Sequence, residues 1–362
     1  MNSAKKRLLL EKLAEYTEDE KVYRELYGQK SPEKRAAFLE QAEDYVREHG
    51  LFIPDYSFVE IPEHFTEEMY SSQFPIGRGF DVNLVKHSRY TPVFVYSLTF
   101  FEILYVLRGT CGHRLGSEMY TLHRGDVCFI SPGTKHTIEV FDDSLILSVH
   151  VRKDTFDRTF HTTLSYDNIL SDFFIGSLYS RRPPGSILFP ETGEEIEDII
   201  LEMYSEVDEE DVFSRNLLNN LLTIMFARLL RGYRGGAYIA GTPEGAGGDP
   251  VRLRILSYIY DHYREADLGA VAGQFHYSAA HCSRMIRAET GYGFSAFLRR
   301  IRAERAAAYL TETKRTVADI GMLVGYESPE VFIRAFEKVF GMSPTAYRKR
   351  KQGDAAPVRE QL

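Results

Sequence analysis

The C-terminal hundred residues repeat themselves with an offset of 50 positions, and no other feature limits the fold as tightly. Ser278 pairs with Ser328, Arg284 with Arg334, Ile286 with Phe336, Gly291 with Gly341, Ala296 with Ala346 and Phe297 with Tyr347. Upstream the offset is 49, with Ala272 opposite Gly321 and Tyr277 opposite Tyr326, Glu327 being the extra residue. A duplicated unit of this length is a helical supersecondary module.

Each copy reads as a helix-turn-helix. A short helix (268–275 or 317–324) carries Ala272 or Gly321, a small residue where two helices must approach closely. A tight turn follows, with Gly325 in the second copy. Ser278 and Ser328 then stand where a hydroxyl can satisfy an orphan N–H of the next helix. Pro329 falls at the first helical position of the second copy, where a missing N–H costs nothing. The next helix has an apolar face, Cys282 and Ile286 or Phe332 and Phe336. Its opposite face bears Ala280, Ser283, Arg284 and Arg287, or Glu330, Ile333, Arg334 and Lys338. Gly291 and Gly341 stop these helices. A protruding helix with an open-face arginine suits a major groove, because guanidinium can bind guanine O6 and N7 in bidentate fashion. The competing reading is surface arginines paired with neighbouring acids.

The whole chain of 362 residues carries a formal charge of −8, which alone argues against nucleic acid. The average conceals an asymmetry: Pro250 to Lys351 holds 17 Lys and Arg against 10 Asp and Glu, a balance of +7, leaving −15 for the rest. An acidic body with a basic tail points the tail at a polyanion, although a solvated helical surface has the same composition. No apolar run reaches the ~18 residues of a membrane span, and the longest candidate, Val93 to Leu107, is interrupted by Glu102. Lys5, Lys6 and Arg7 are followed by only three leucines, which is no signal-peptide core. Cys111, Cys128 and Cys282 are scattered and odd in number, so no disulfide framework is expected and a cytoplasmic location is.

Seven glycines lie within 232–250, together with Pro243 and Pro250, and mark a linker. Before it, 1–50 reads as helical, with Phe38, Leu39, Ala42 and Val46 at helical spacing and Ser31-Pro32-Glu33 as a helix start. Residues 80–151 read as β, in short runs of Val, Ile, Phe and Tyr separated by turns at Arg108-Gly109, Arg124-Gly125-Asp126 and Ser131-Pro132-Gly133. Residues 191–231 read as two helices, the second of them apolar from Leu217 to Leu230 over more surface than one sheet face needs. A partner subunit or an intramolecular core would account for that excess. After the linker an opening helix near 251–264 and a longer one near 294–311 frame the two repeats.

The run from Ala318 to Arg348, with Val-Gly-Tyr in the turn, Phe-Ile-Arg-Ala-Phe on the next helix and Gly-Met-Ser-Pro-Thr-Ala-Tyr-Arg after it, closely resembles the signature of AraC/XylS-type transcription regulators. Tyr277 to Gly291, followed by Phe-Leu-Arg-Arg-Ile-Arg-Ala-Glu-Arg-Ala, is similar to the upstream unit of that family. The resemblance covers about 250–350. Departures are Cys282 and Ile286 for the usual Leu and Phe, Gly321 for Ala, and Ile333 where a small polar residue is common. The resemblance implies DNA-facing positions at Ala280, Ser283, Arg284, Arg287, Pro329, Glu330, Ile333 and Arg334.

Residues 99–109 and 122–136 resemble the cupin barrel that precedes many such DNA-binding regions. Cupins are small double-sheet barrels with an interior pocket. Metal-binding cupins carry His-x-His before the Glu; aligning on Glu102 puts Tyr96 and Leu98 there, leaving Glu102 and His136. One carboxylate and one imidazole make a poor site, so neither metal nor cofactor is expected. His87, His113 and His123 have no spacing that makes them converge. Glu102 and His136 are expected as a hydrogen-bonding pair, and Tyr96, Glu102, Tyr105, His113 and His136 as the lining of a small-effector pocket. No P-loop, dinucleotide fingerprint or nucleophile elbow occurs, and no catalytic residue is assigned.

The expectation is therefore an α+β multidomain chain: a cupin-like β-barrel with helical extensions, followed by an all-α tandem helix-turn-helix domain. Its parts are a helical N-terminal extension (1–80), a sensor barrel (81–185), a helical dimerisation segment (186–231), a Gly-rich linker (232–249) and the DNA-binding domain (250–352). The implied function is a non-enzymatic, cytoplasmic, homodimeric transcription activator that binds double-stranded DNA and a small effector, works with RNA polymerase and does not use a membrane. The rivals are a cupin-type enzyme tethered to DNA and a ligand-free DNA-bound scaffold.

Overall fold

The computed structural model describes residues 3–53, 64–66, 81–153, 155, 168–181, 183–209, 211, 213–232, 236–240 and 250–354. Most of 54–80 and nearly all of the glycine-rich linker lie outside them. The chain forms two compact units, the first from Met1–Thr163 and Pro183–Gly247, the second from Leu164–Arg182 and Gly248–Leu362. Among the described residues no helix is long and apolar enough to cross a membrane.

The first unit opens with α1 (Ser3–Ala14), α2 (Glu18–Gly28) and α3 (Pro32–Glu48). Thr17 and Glu20 form a reciprocal capping box at the start of α2. Ser31 caps α3 by accepting from the Lys34 N–H at 3.2 Å, with Pro32 at the first turn. Strands follow: β1 (His64–Phe65), β2 (Val82–Lys86), β3 (Ser97–Leu98), β4 (Phe101–Arg108), β5 (Thr110–Leu115), β6 (Glu118–His123), β7 (Val127–Ile130), β8 (His136–Glu139), β9 (Leu145–Val151), β10 (Ser186–Phe189) and β11 (Tyr238–Ala240). A six-stranded antiparallel sheet runs β11-β10-β7-β4-β9-β2, and a three-stranded one runs β6-β5-β8. One apolar core joins the two, with Leu104, Val106, Cys128, Ile130 and Ile146 from the large sheet and Cys111, Leu122 and Ile138 from the small one.

Strand periodicity sets the two faces of the large sheet. The even positions of β4 enter the shared core, whereas Ile103 and Tyr105 face the other way and are also buried. That outer face is covered by α5 (Glu194–Glu209) and α6 (Ser214–Gly232), between the end of β10 and β11; Phe226 of α6 packs against Phe129 of β7 with ring centroids 5.6 Å apart and the rings tilted by 50°. Both strand faces are thus apolar, which gives β4 its near-continuous hydrophobic run.

In the second unit, α4 (Ile169–Tyr179) joins α7 (Pro250–Asp261), α8 (Leu268–Phe275), α9 (Ala279–Thr290), α10 (Phe294–Glu312), α11 (Val317–Leu323), α12 (Pro329–Phe340) and α13 (Pro344–Asp354). Two expectations change here. The barrel was expected to run to 185, but 164–182 belongs to the second unit: Leu170, Phe173 and Phe174 are buried, Asp172 accepts from the Ser257 hydroxyl at 2.8 Å, and Tyr179 donates to Glu304 at 2.7 Å. The Gly-rich linker was expected to span 232–249, but within it Tyr238–Ala240 pairs with Leu188–Ser186 and extends the large sheet.

Candidate DNA-reading helices and sensor interior

The two repeats differ first at their turns. In the second copy Gly325 has φ +91°, and a Cβ there would lie 2.5 Å from the Arg264 carbonyl oxygen. In the first copy His276 takes the same left-handed role at φ +57°, a conformation that costs an L-residue about 1–2 kcal/mol. Gly321 replaces the family's Ala because a Cβ there would sit 3.0 Å from the Phe332 ring. Ser278 caps α9 through the His281 N–H at 3.2 Å. Ser328, expected to do the same for α12, makes no cap bond; its hydroxyl donates instead to Glu330. That hydrogen bond holds the Glu330 carboxyl below the usual range.

Ala280, Arg284 and Arg287 are exposed on α9, with Ser283 half-buried beside them. Glu330 and Arg334 are exposed on α12, with Pro329 and Ile333 half-buried. The opposite faces bury Cys282 and Ile286, and Phe332 and Phe336. Each reading helix thus presents an unburied arginine at the equivalent position, Arg284 or Arg334, on a glycine-stopped support, with C-caps Gly291 and Gly341 at φ +80° and +68°. Exposed Tyr277, Met322 and Val331 lie on the same units and were not singled out from sequence; exposure of apolar side chains is their signal. Arg348 is structural: it donates to the carbonyls of Leu310 and Arg315.

Inside the first unit, cross-strand register aligns Asn83, His150 and Glu102 directly across β2, β9 and β4, so all three share the inner face. From the small sheet, His136 brings its Nε2 to 3.1 Å from Glu102 Oε2, and His150 Nε2 stands 3.4 Å from Oε1. The Tyr96 hydroxyl also donates to Glu102, at 3.4 Å. Burial disfavours the charged carboxylate, but the His136 and His150 contacts outweigh it and hold Glu102 well below the usual range. His136 Nδ1 donates to the Thr134 carbonyl at 2.9 Å. Both its nitrogens thus face oxygen atoms.

His113 lies on the inner face, its ring centroid 5.5 Å from that of His136. Burial, followed by the His136 charge, lowers its pKa to about 3, so the ring is neutral. His113 Nε2 and Asn83 Nδ2 are buried and find no hydrogen-bond partner among the described residues. Tyr105 does not join this site. Three positions from Glu102 along one strand, it points to the outer face, where Glu197 and Arg124 are its charged neighbours. His150 joins instead and was missed, since only cross-strand register brings it opposite Glu102. Among the described residues no group of three or more His, Cys, Asp or Glu is arranged to hold a metal ion.

Residues 95–223 match the family model described as an AraC-like ligand binding domain, and residues 271–350 match a helix-turn-helix domain. The HTH-type transcriptional activator RhaS of Escherichia coli (strain K12 / DH10B) is 26% identical over 257 residues, which cover 70% of this chain and 87% of RhaS. Among solved structures, the C-terminal domain of AraT, a response regulator from Geobacillus stearothermophilus, is 32% identical, covering 32% of this chain and 94% of that one with a TM-score of 0.28. Unsaturated fatty acid bound ToxT from Vibrio cholerae strain SCE256 is 15% identical, covering 77% of this chain and 97% of that one with a TM-score of 0.29. With one family model over the sensor sheets and the other over the duplicated helices, the chain belongs to the AraC-type transcription regulators.

Proposed function

We propose that this regulator is an effector-responsive transcription activator whose α9 and α12 read successive major grooves on one face of DNA. The observation that carries this reading is the pair of exposed arginines, Arg284 and Arg334, on the outer faces of two equivalently supported helices. Helix α10, with 19 residues, spans roughly 28 Å at 1.5 Å per residue, close to the ~34–36 Å of one DNA turn. Ala280, Ser283 and Arg287 accompany Arg284 at the groove, and Pro329, Glu330 and Ile333 accompany Arg334. RhaS is named an activator, and the same role, exercised with RNA polymerase in the cytoplasm, is proposed for this chain.

The effector site is the inner-face cluster of Tyr96, Glu102, His113 and His136, with His150 and Asn83 added and Tyr105 removed. Two buried, unpartnered polar atoms beside an ionised carboxylate support a small polar ligand rather than a purely apolar one. The chain is proposed to act as a homodimer, and the apolar stripe left exposed on α6 supports that.

Selection of bound fragments from random DNA, repeated with Arg284→Ala and Arg334→Ala, tests the reading. Each variant is expected to relax base preference at its own cluster, at a cost of about 1–3 kcal/mol, the clusters lying about 10–10.5 bp apart. Binding should weaken steeply with salt. Perturbation of the same bases by both variants, or clusters half a turn apart, would end the tandem-groove reading.

A further inference from the structure

The two reading helices do not begin alike. Ser278 and Ser328 occupy equivalent positions, and so do Ala280 and Glu330. In the first copy the Ser278 hydroxyl accepts from the His281 N–H at 3.2 Å and caps α9, and Ala280 adds no polar atom. In the second copy the Ser328 hydroxyl makes no cap bond and donates to a Glu330 carboxylate oxygen. Glu330 is the second residue of α12 and is exposed. Arg334 stands one turn further on, also exposed, and no ion pair joins it to Glu330 among the described residues. The acid is therefore tethered by the start of its own helix and is not neutralised by its basic neighbour.

A helix-turn-helix brings the N-terminal residues of its second helix to base edges. A carboxylate has few partners there. The phosphates repel it, and guanine N7 and O6 and thymine O4 offer only lone pairs. Amines stand on cytosine N4 and adenine N6, but adenine sets its N7 acceptor beside the amine, whereas cytosine does not. Cytosine alone rewards the carboxylate without a facing lone pair. Guanine and thymine leave it desolvated and unpaired, which is a penalty on the wrong site. Arg334 lies on the same face of α12, four residues away. At 1.5 Å per residue that is about 6 Å, roughly two of the ~3.4 Å steps between successive bases.

We propose that Glu330, positioned by Ser328, makes α12 a reader of cytosine about two base pairs from the guanine taken by Arg334, and that it acts more by excluding other bases than by adding affinity. Helix α9, with Ala280 in that place, lacks this filter. The inference rests on the proposed reading of α12 as a groove reader. Ser328 touches no base; it is a positioning residue that limits the rotamers open to the carboxylate.

The test is fragment selection from random duplex DNA on the full chain, with binding to one unselected duplex measured alongside. Arg334→Ala marks the α12 cluster. Within that cluster wild type should prefer cytosine at one position by about 5- to 150-fold. Glu330→Ala should lose that preference and bind the unselected duplex at least as tightly as wild type, because a charge of the phosphates' sign has gone. Glu330→Gln should lose cytosine and favour adenine, whose N6 and N7 match an amide. Ser328→Ala should weaken the cytosine preference and Ser328→Thr should keep it; in the Glu330→Ala background Ser328→Ala should do nothing more. A structural role for either residue would instead lower the melting temperature and weaken selected and unselected duplex alike, and that result overturns the proposal. Cytosine retained by Glu330→Ala or Glu330→Gln, or left at full strength by Ser328→Ala, overturns it too. A wild type with no cluster that responds to Arg334→Ala sinks the reading of α12 itself, whereas an Arg334 cluster indifferent to both Glu330 variants sinks the cytosine filter alone.

Discussion

Glu20 is a carboxylate with no exposed surface, held by Arg89, itself 1% exposed, and by Lys86. Burial pushes its pKa up, but the Arg89 and Lys86 hydrogen bonds outweigh burial and bring it down to about 2, from an ordinary 4.5. A depressed carboxylate contributes stability that is fully present above its unfolded pKa and is lost as pH falls from about 5 toward 2. At 1.36 kcal/mol per pKa unit the contribution is roughly 3 kcal/mol at neutral pH. Denaturant unfolding of wild type and Glu20→Gln at pH 7, 5 and 3 checks this. The variant should be weaker at pH 7 by about 3–5 kcal/mol, since two cations lose their partner, and the gap should narrow at pH 3. A gap independent of pH would mean that the Glu20 charge is not its source. The capping box Thr17-x-x-Glu20 is a local pattern, yet the Glu20 partner lies 69 positions away and nothing near either residue announces it. Tyr105 shows the same limit from the other side. Its residue type suited a pocket, but strand parity decides the face, and parity follows only once the register around Glu102 is fixed.

At the scale of elements, what was legible was what is local. The helix-turn-helix units could be read because repeat, caps and stop signals all sit within a few residues of the structure they specify. Helix α4 went unread because its apolar residues meet α7, about 80 positions downstream, and its sequence carries no repeat partner. Helix α6 was read correctly as over-apolar, but its faces needed coordinates. Leu218, Leu222 and Met225 are buried within the unit, whereas Phe213 (63% exposed), Leu217 (42%) and Ile224 (45%) form a stripe on the other side. If that stripe is the homodimer surface, Leu217→Glu and Ile224→Glu should each weaken association by roughly tenfold or more with the fold intact. Met225→Glu should instead unfold the unit, because it places a charge in the core. Sedimentation with a parallel thermal melt separates the two outcomes. A wild type that remains monomeric at micromolar concentration would leave the stripe without this role.

For the whole molecule, the second unit draws one of its helices from between two sensor strands, β9 and β10. A fragment starting at 250 lacks α4 and leaves its partners on α7 and α10 exposed. The sequence reading placed DNA binding in 250–352; that fragment is now expected to bind DNA only weakly, because its fold is compromised. Fully burying a Leu or Phe is worth about 1.5–3 kcal/mol, so loss of Leu170, Phe173 and Phe174 is enough to make the fragment marginal. Its melting temperature should rise by about 10 °C or more when 164–182 is fused to it, and sequence-selective DNA binding should return with it. Equal melting of the two fragments would show that α4 is dispensable. The interleaving also bears on descent. Recombination at the glycine-rich stretch looks like a natural way to exchange one DNA specificity for another among such regulators. Here it would deliver a reading head missing a helix to a sensor carrying a helix with nothing to dock on. Lineages of this chain are thus expected to change operator by substitutions on α9 and α12 rather than by exchange of the whole cassette.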